Sequence, residues 1–263
     1  MPTRTDRRAM EREDERILRR GMPLREDLAA AQAQTRRLLR ILRDAANPRR
    51  AGDAAAELHA GYELSYRHNR PTGLDCRRGC AHCCRIFVSV TAPELFLIAR
   101  SLTGARREAI LGRLAAADER VHGLDAAARR SAGVTCPMLE DGACSIYTVR
   151  PTACRSLLSF DVNACISAFV EGQEGGRAMA PVGPMLRSGY MAALCAALDL
   201  AGLPDASYEL VSGLRRVLET PDAEARWLAG EPVLEGLPQD RGRNEQFRAA
   251  VAYIARSVAQ AWG

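Results

Sequence analysis

The chain has 263 residues, enough to bury a hydrophobic core. Unlike a very small domain, it therefore does not need a bound metal merely to be stable. Hydrophobic residues make up 47% of the chain and aromatic residues 5%, a mixture that favours helices over β-sandwiches. The net charge is +5, but all 37 basic residues are arginine, which indicates genome-wide base composition more than selection of one basic surface.

The opening residues, 1–20, are charged throughout and no apolar run follows them, so we expect no secretory signal. No stretch approaches the roughly 20 apolar residues that a membrane-spanning helix needs. We therefore expect a cytoplasmic protein without a membrane partner. In that compartment thiols stay reduced, and clustered cysteines bind metal more often than they form disulfides.

Helical periodicity dominates the N-terminal part of the chain. We expect a charged segment over residues 1–22 and helices over residues 23–70. Asn47-Pro48 stops the first of these helices, and Asp53 is the predicted N-cap of the second.

A short strand and a capped helix are predicted next. Ile86, Val88 and Val90 alternate with other residues, as in a strand. Thr91 and Glu94 have the spacing of a capping box, which predicts that a helix begins there.

A β-hairpin is predicted downstream by Asp141-Gly142, which lies between two short apolar runs. This hairpin would bring Cys136 and Cys144 near each other. Asp161 then has the position to cap a short helix that carries Cys165.

Together these elements predict a mainly α protein with a central, irregular, cysteine-rich metal-binding region that contains a short β-hairpin. We place that region at residues 71–171. A loop rich in glycine and proline follows it. A C-terminal helical region over residues 184–263 is expected to pack on the cysteine region.

Eight cysteines in two groups are the predicted metal ligands, because soft thiolates select zinc, copper(I) and iron–sulfur centres. The first group places four thiols within a few residues, with no acidic side chain among them, which argues against magnesium or calcium. The ninth cysteine, Cys195, lies on an apolar helix face and is predicted to be a small buried side chain. The predicted ligands are Cys76, Cys80, Cys83, Cys84, Cys136, Cys144, Cys154 and Cys165.

Adjacent Cys83 and Cys84 indicate more than one metal, because neighbouring side chains in an extended segment point in opposite directions. The interpretation is two metal ions, or one multinuclear centre with these two thiols on different irons. Whether His82 also ligates is left open. Arginines that flank the cysteines would stabilise a negatively charged centre: Arg77, Arg78, Arg85, Arg150 and Arg155.

The spacing of Cys76, Cys80 and Cys83 also occurs in radical S-adenosylmethionine enzymes. Those enzymes have a β/α barrel, and no repeated alternation of strand and helix follows Cys84. We do not favour this reading, because the structural context of the motif is missing.

Two motifs together resemble the YkgJ-type cysteine-cluster family, whose members carry a CxxCxxCC-type zinc- or iron-chelating domain. They are Cys76-Arg-Arg-Gly-Cys-Ala-His-Cys-Cys84 and the segment from Cys136 to Arg155. The resemblance extends to Cys165, covers about a third of the chain and implies metal binding at the eight cysteines. It implies no reaction, although the flagellin lysine methylases have a similar cysteine cluster.

The resulting hypothesis is a metal-binding protein with a structural or redox role, whose cofactor is an iron–sulfur cluster or zinc or iron ions. The alternative is a protein- or peptide-modifying enzyme, an S-adenosylmethionine-dependent methyltransferase of the flagellin lysine methylase kind. Whether the protein is an enzyme is left open, and a protein or peptide partner is unidentified. A nucleic acid partner is not expected, because few aromatic side chains near Arg36 to Arg50 could stack on bases.

Overall fold

The computed structural model describes residues 25–172, 179–240 and 243–261. This part of the chain is mainly α-helical, as predicted, and contains two small sheets of two strands each. Its helices are α1 (Arg25–Leu42), α2 (Arg50–Asn69), α3 (Ala92–Arg100), α4 (Gly104–Val121), α5 (Ala126–Ser131), α6 (Thr152–Arg155), α7 (Val162–Phe169), α8 (Val182–Leu200), α9 (Leu210–Glu219), α10 (Ala223–Leu228) and α11 (Glu245–Gln260). Its strands are β1 (Ser89–Thr91), β2 (Leu139–Glu140), β3 (Ala143–Cys144) and β4 (Ser207–Glu209).

The described residues form two compact units. One contains residues 25–50, 188–205 and 243–261, and the other contains residues 51–172, 179–187 and 206–240. The eight predicted metal ligands all lie in the second unit, which we call the cysteine unit. The sequence-based division at residues 171–184 stays a prediction, and the charged segment predicted over residues 1–22 lies outside the described residues. None of the described helices is both long and apolar enough to cross a bilayer.

The first unit contains α1, α11 and most of α8, and α1 packs against α11. Leu38, Leu39 and Leu42 are buried on α1 at the helical spacing that the sequence showed. Cys195 is fully buried on α8, in agreement with its expected role as a small core side chain.

The cysteine unit has a helical layer in which α9 packs against α3 and α4. Its core includes the fully buried side chains of Leu95, Ile98, Leu114 and Leu214. Beside this layer, β1 and β4 pair antiparallel. That pairing carries residues 207–209 to the edge of the cysteine-rich region.

Three local predictions are confirmed. The carboxylate of Glu94 accepts hydrogen bonds from the N–H and the hydroxyl of Thr91 at the start of α3. Asp161 caps α7, since its carboxylate accepts from the N–H groups of Asn163 and Ala164. The hairpin at Asp141-Gly142 joins β2 to β3.

Two element boundaries differ from the prediction. Helix α2 begins at Arg50, before Asp53, because the side chain of Asn47 accepts the Arg49 N–H and shapes the turn just ahead of it. Asp53 instead lies in the first helical turn and pairs with Arg100 at 2.8 Å. The strand predicted from Ile86 covers only Ser89–Thr91, because its partner β4 is equally short.

Candidate metal centre

The first group of cysteines lies on irregular backbone that is held by two consecutive turns. The N–H of Cys80 donates to the carbonyl of Arg77, and the N–H of Cys84 donates to the carbonyl of Ala81, each at 3.0 Å. Gly79 has φ +91°, a left-handed conformation that favours glycine over every other residue. The sequence therefore folds into compact turns that keep its thiols close together.

The turn corrects the sequence argument about Cys83 and Cys84. These residues are not in an extended segment, so alternation of side chains does not apply to them. Their side chains are hydrogen-bonded to each other, and this bond, followed by burial, raises the pKa of the Cys83 thiol. The assignment of these two thiols to different metals therefore stays a prediction, and side-chain alternation no longer supports it.

The second group begins at Cys136, whose N–H donates to the carbonyl of Cys84 at 2.7 Å. The β2–β3 hairpin then returns the chain, with Leu139 opposite Cys144 in the ladder. Asp141 and Gly142 have φ of 47° and 76°, as a two-residue turn between right-twisted strands requires. The hairpin thus brings Cys144 back beside Cys136 and the first group.

Cys154 is placed by α6, a single turn that a buried carboxylate fixes. Glu94 Oε1 accepts the N–H of Thr152 at 2.7 Å and the ring Nε2 of His59 lies 3.2 Å from the same oxygen. Arg155, next to Cys154, pairs with Glu63, and its Nε donates to the carbonyl of Arg150. Arg155 therefore stabilises the backbone of this turn.

Cys76 and Cys165 lie at the other side of the centre. The Sγ atom of Cys76 accepts the N–H of Ser159 at 3.1 Å, just ahead of the capped helix α7. Cys165 on α7 is buried in a small apolar cluster against which Cys83 packs. The carboxylate of Asp75 also accepts the N–H of Val162, which fastens α7 to the first motif.

Six of the eight thiols line one cavity of about 90 Å³ in the cysteine unit. They come from residues 80–84 and from residues 136–154, two parts of the chain that are far apart in the sequence. No histidine is among the described residues that line it, so His82 lies away from its wall. The six cysteines are Cys80, Cys83, Cys84, Cys136, Cys144 and Cys154.

No group of three or more histidine, cysteine, aspartate or glutamate side chains in the described part of the chain is drawn together closely enough to hold an ion. The thiols converge on one cavity wall without forming a tetrahedron. Of the two thiols outside this wall, Cys76 is partly exposed and Cys165 is buried.

Burial in the protein disfavours the thiolate form of several of these cysteines. Burial raises the pKa of Cys136 to about 12, and burial also raises the pKa values of Cys144 and Cys154. The guanidinium group of Arg150 opposes this rise at Cys83, Cys144 and Cys154. Arg150 lies 4.0 Å above the ring of Tyr147, which holds its cation beside the cavity.

Two lining residues were missed by the sequence reasoning, Arg129 and Glu209. Glu209 caps α9, and burial raises the pKa of its carboxyl to about 7 against the opposing effects of the Ser212 N–H and Arg129. Arg129 is fully buried on α5. No motif marks either residue, since a buried arginine in an arginine-rich chain has no distinctive sequence signal.

Comparison with known families identifies the region. Residues 75–168 match the model of the CxxCxxCC family, described as "Putative zinc- or iron-chelating domain". This part of the chain is therefore similar to a CxxCxxCC domain, and we use that name for residues 75–168. This match confirms the predicted resemblance, and the domain spans all eight predicted ligands. Comparisons with the curated proteins and with the solved structures gave no match.

The residues around the cavity of the CxxCxxCC domain fit a soft metal ion. Six thiols are the donor set that zinc or iron prefers. Arg129 and Arg150 also line the cavity, and the buried Nε atom of each has no hydrogen-bond partner among the described residues. An anionic metal–thiolate centre would offer an acceptor to both N–H groups and add negative charge beside both cations.

Proposed function

We propose that this protein binds zinc or iron through its eight clustered cysteines, as metal ions or as an iron–sulfur cluster, in a structural or redox role. The observation that carries the proposal is the convergence of six thiols from two distant parts of the chain on one cavity. The CxxCxxCC domain supports the binding of zinc or iron. We place the protein in the cytoplasm, where a cluster of reduced thiols persists.

The thiols form two sets that meet at the Cys83–Cys84 pair. The pKa of Cys76 is raised by burial and, among the thiols, by Cys80, Cys165 and Cys83. These four are the first proposed set, and the packing of Cys83 against Cys165 supports it. This set has the number of thiolates that one closed zinc site needs.

The second set surrounds the hairpin. The pKa of Cys154 is raised by burial and then by Cys136, Cys83 and Cys144. Cys83 therefore neighbours both sets, and we assign Cys84 as the fourth thiol of the second, because its carbonyl accepts the Cys136 N–H and it lines the same cavity wall. Two four-thiolate sites, or one multinuclear centre across the Cys83–Cys84 pair, use all eight thiols.

A structural role follows from where the cysteines lie. Most of them are on turns, on a two-residue strand or on a single helical turn, and such elements have little stability of their own. When bound, zinc would supply folding free energy by joining these segments, and an iron–sulfur cluster would in addition carry an electron.

Zinc titration of the reduced, metal-free protein tests this arrangement, with mass spectrometry of alkylated cysteines at each step. Two closed sites predict uptake of about two zinc ions per chain, with protection of all eight thiols. The reactivity of Cys195 should not change on zinc binding, because it belongs to the core of the other unit. Uptake of neither zinc nor, in a parallel reconstitution, iron would contradict the proposal, as would protection of fewer than four thiols by the bound metal.

A reduction potential separates the two roles. A redox centre should accept and return an electron reversibly in voltammetry of the anaerobic protein, whereas bound zinc has no redox chemistry. A colourless protein that binds zinc and shows no redox signal would support the structural role and exclude the redox role.

A further inference from the structure

Arg129 is a fully buried arginine outside both cysteine motifs. It lies on α5, a helix of less than two turns that Asp125 caps through the N–H groups of Ala127 and Ala128. Its side chain is 2% exposed and borders the thiol cavity. A charged side chain this deeply buried is rare unless its environment compensates the charge.

The guanidinium group of Arg129 connects the two segments that carry the cysteines. Its Nη1 atom donates to the carbonyl of Arg85 at 3.1 Å and to the carbonyl of Val134 at 2.7 Å. Arg85 directly follows Cys84, and Val134 precedes Cys136 by two residues. One side chain therefore holds both segments beside the hydrogen bond that joins their backbones.

The acid that accompanies Arg129 comes from beyond the CxxCxxCC domain. Glu209 Oε1 lies 3.9 Å from Arg129 Nε, and both side chains line the cavity. The carboxylate is fixed in place, since it accepts the N–H groups of Val211 and Ser212 at 2.6 and 3.2 Å. Residues outside 75–168 thus help to form the wall of the thiol cavity.

One donor of Arg129, its Nε, lies near Glu209 but beyond hydrogen-bond distance. Its buried Nε has no hydrogen-bond partner in the described part of the chain, although leaving such a group unsatisfied is costly. Its positive charge lies in the wall of the same cavity as Cys136. A donor and a cation are the features that a bound thiolate centre requires of its surroundings.

We propose that Arg129 is a positioning residue of the metal centre, which holds the Cys84 and Cys136 segments together and compensates the charge of the bound thiolates. Glu209 keeps its side chain in place from outside the domain. This inference rests on the proposed metal-binding function.

The test compares zinc dissociation constants of the wild type, Arg129→Met and Arg129→Lys in competition with a chromophoric chelator. Methionine fills the space without charge or donors, so we expect zinc binding to weaken about ten- to a hundredfold. Lysine keeps the charge but not the planar fork, so its dissociation constant should lie between the other two. The control is Arg215→Met, which removes an arginine paired with Asp118 away from the cavity and should bind zinc like the wild type.

Two further measurements separate positioning from general stability. The visible spectrum of the cobalt-substituted protein should change in Arg129→Met, because cobalt reports the geometry of its thiolate ligands. Urea unfolding of the metal-free proteins gives the stability change without metal. Weaker binding that only matches this stability change, with an unaltered cobalt spectrum, would overturn the inference.

Wild-type zinc affinity in Arg129→Met would also overturn it. If the methionine variant does not fold, Arg129→Lys decides, and wild-type affinity in that variant would contradict a positioning role. A wild-type protein that takes up no zinc, cobalt or iron would instead contradict the proposed function, so the two failures are distinguishable.

Discussion

The backbone N–H of Cys136 donates a 2.7 Å hydrogen bond to the carbonyl oxygen of Cys84. This bond joins the two cysteine groups directly, although a strand and three helices separate them along the chain. Arg129 spans the same junction with its two hydrogen bonds. The backbone thus brings the thiols to one cavity, and metal binding would stabilise a junction that already exists.

Replacement of a single cysteine from either group should weaken metal binding. In Cys80→Ser or Cys144→Ser a hard hydroxyl replaces a soft thiolate, so the metal content should fall at least by half and the melting temperature should drop. Elemental analysis and thermal unfolding measure both effects. The control is Cys195→Ala, which removes a buried thiol in the other unit and should keep its metal. Full metal content in both serine variants would refute the ligand assignment.

Gly183 packs closely against the backbone of Ser156. A Cβ atom at Gly183 would lie 2.1 Å from the carbonyl oxygen of Ser156, so Gly183→Ala should destabilise the protein by about 1–3 kcal/mol. A Cβ at Gly189 on the same helix meets no described atom within 4 Å. Gly189→Ala should therefore be neutral or stabilise by up to about 1 kcal/mol. Chemical denaturation measures both, and equal stabilities of the two variants would contradict the close contact.

Glu94 gives the protein a predictable sensitivity to acid. Burial alone would raise the pKa of its carboxyl, but the hydrogen bond and charge of His59 and the N–H groups of Thr152 and Thr91 lower it to about 2. Because the folded pKa is depressed from 4.5, this stabilisation is present above pH 4.5 and is lost as pH falls towards 2.

Glu94→Gln should accordingly lose about 3 kcal/mol of unfolding free energy at pH 7, and the difference from the wild type should vanish near pH 2. Urea unfolding at several pH values measures this difference. Loss of metal at low pH affects both proteins alike, so it largely cancels when the two are compared. Glu231→Gln, an exposed partner of Arg226, is the control and should show little change. A difference that stays constant with pH would contradict the depressed pKa.

The cap of α7 should control the exposure of Cys165. Asp161→Ala removes the acceptor for two N–H groups, so we expect a loss of about 1 kcal/mol and faster alkylation of Cys165 in the metal-free protein. Asn244→Ala removes a comparable cap from α11 in the other unit. That variant should lose similar stability and leave the alkylation rate of Cys165 unchanged. Unchanged alkylation in Asp161→Ala would show that the cap does not hold this thiol.

The sequence predicted the parts of the site that depend on local chemistry. Asp141-Gly142 has positive φ at both residues, as its turn requires, and this turn places Cys144 beside Cys136. The caps at Thr91 and Asp161 were also predictable. A short polar side chain just before an apolar helical run can accept hydrogen bonds from the free N–H groups of the first helical turn. The mainly helical class followed from periodicity in the same way.

Long-range contacts could not be read from the sequence. The turn that brings Cys83 and Cys84 into contact is set by hydrogen bonds, and the extended geometry assumed for them was wrong. The pairing of Arg129 with Glu209 joins residues 80 positions apart without any local pattern. The methyltransferase alternative stays a prediction, which calorimetric titration with S-adenosylmethionine would test.

The most direct test of the central claim is analysis of metal and acid-labile sulfide in protein purified without oxygen. We predict at least about one zinc or iron per chain, with sulfide present if the centre is an iron–sulfur cluster. A freshly prepared, folded protein that contains neither zinc nor iron, and takes up neither when reduced and reconstituted, would contradict the account.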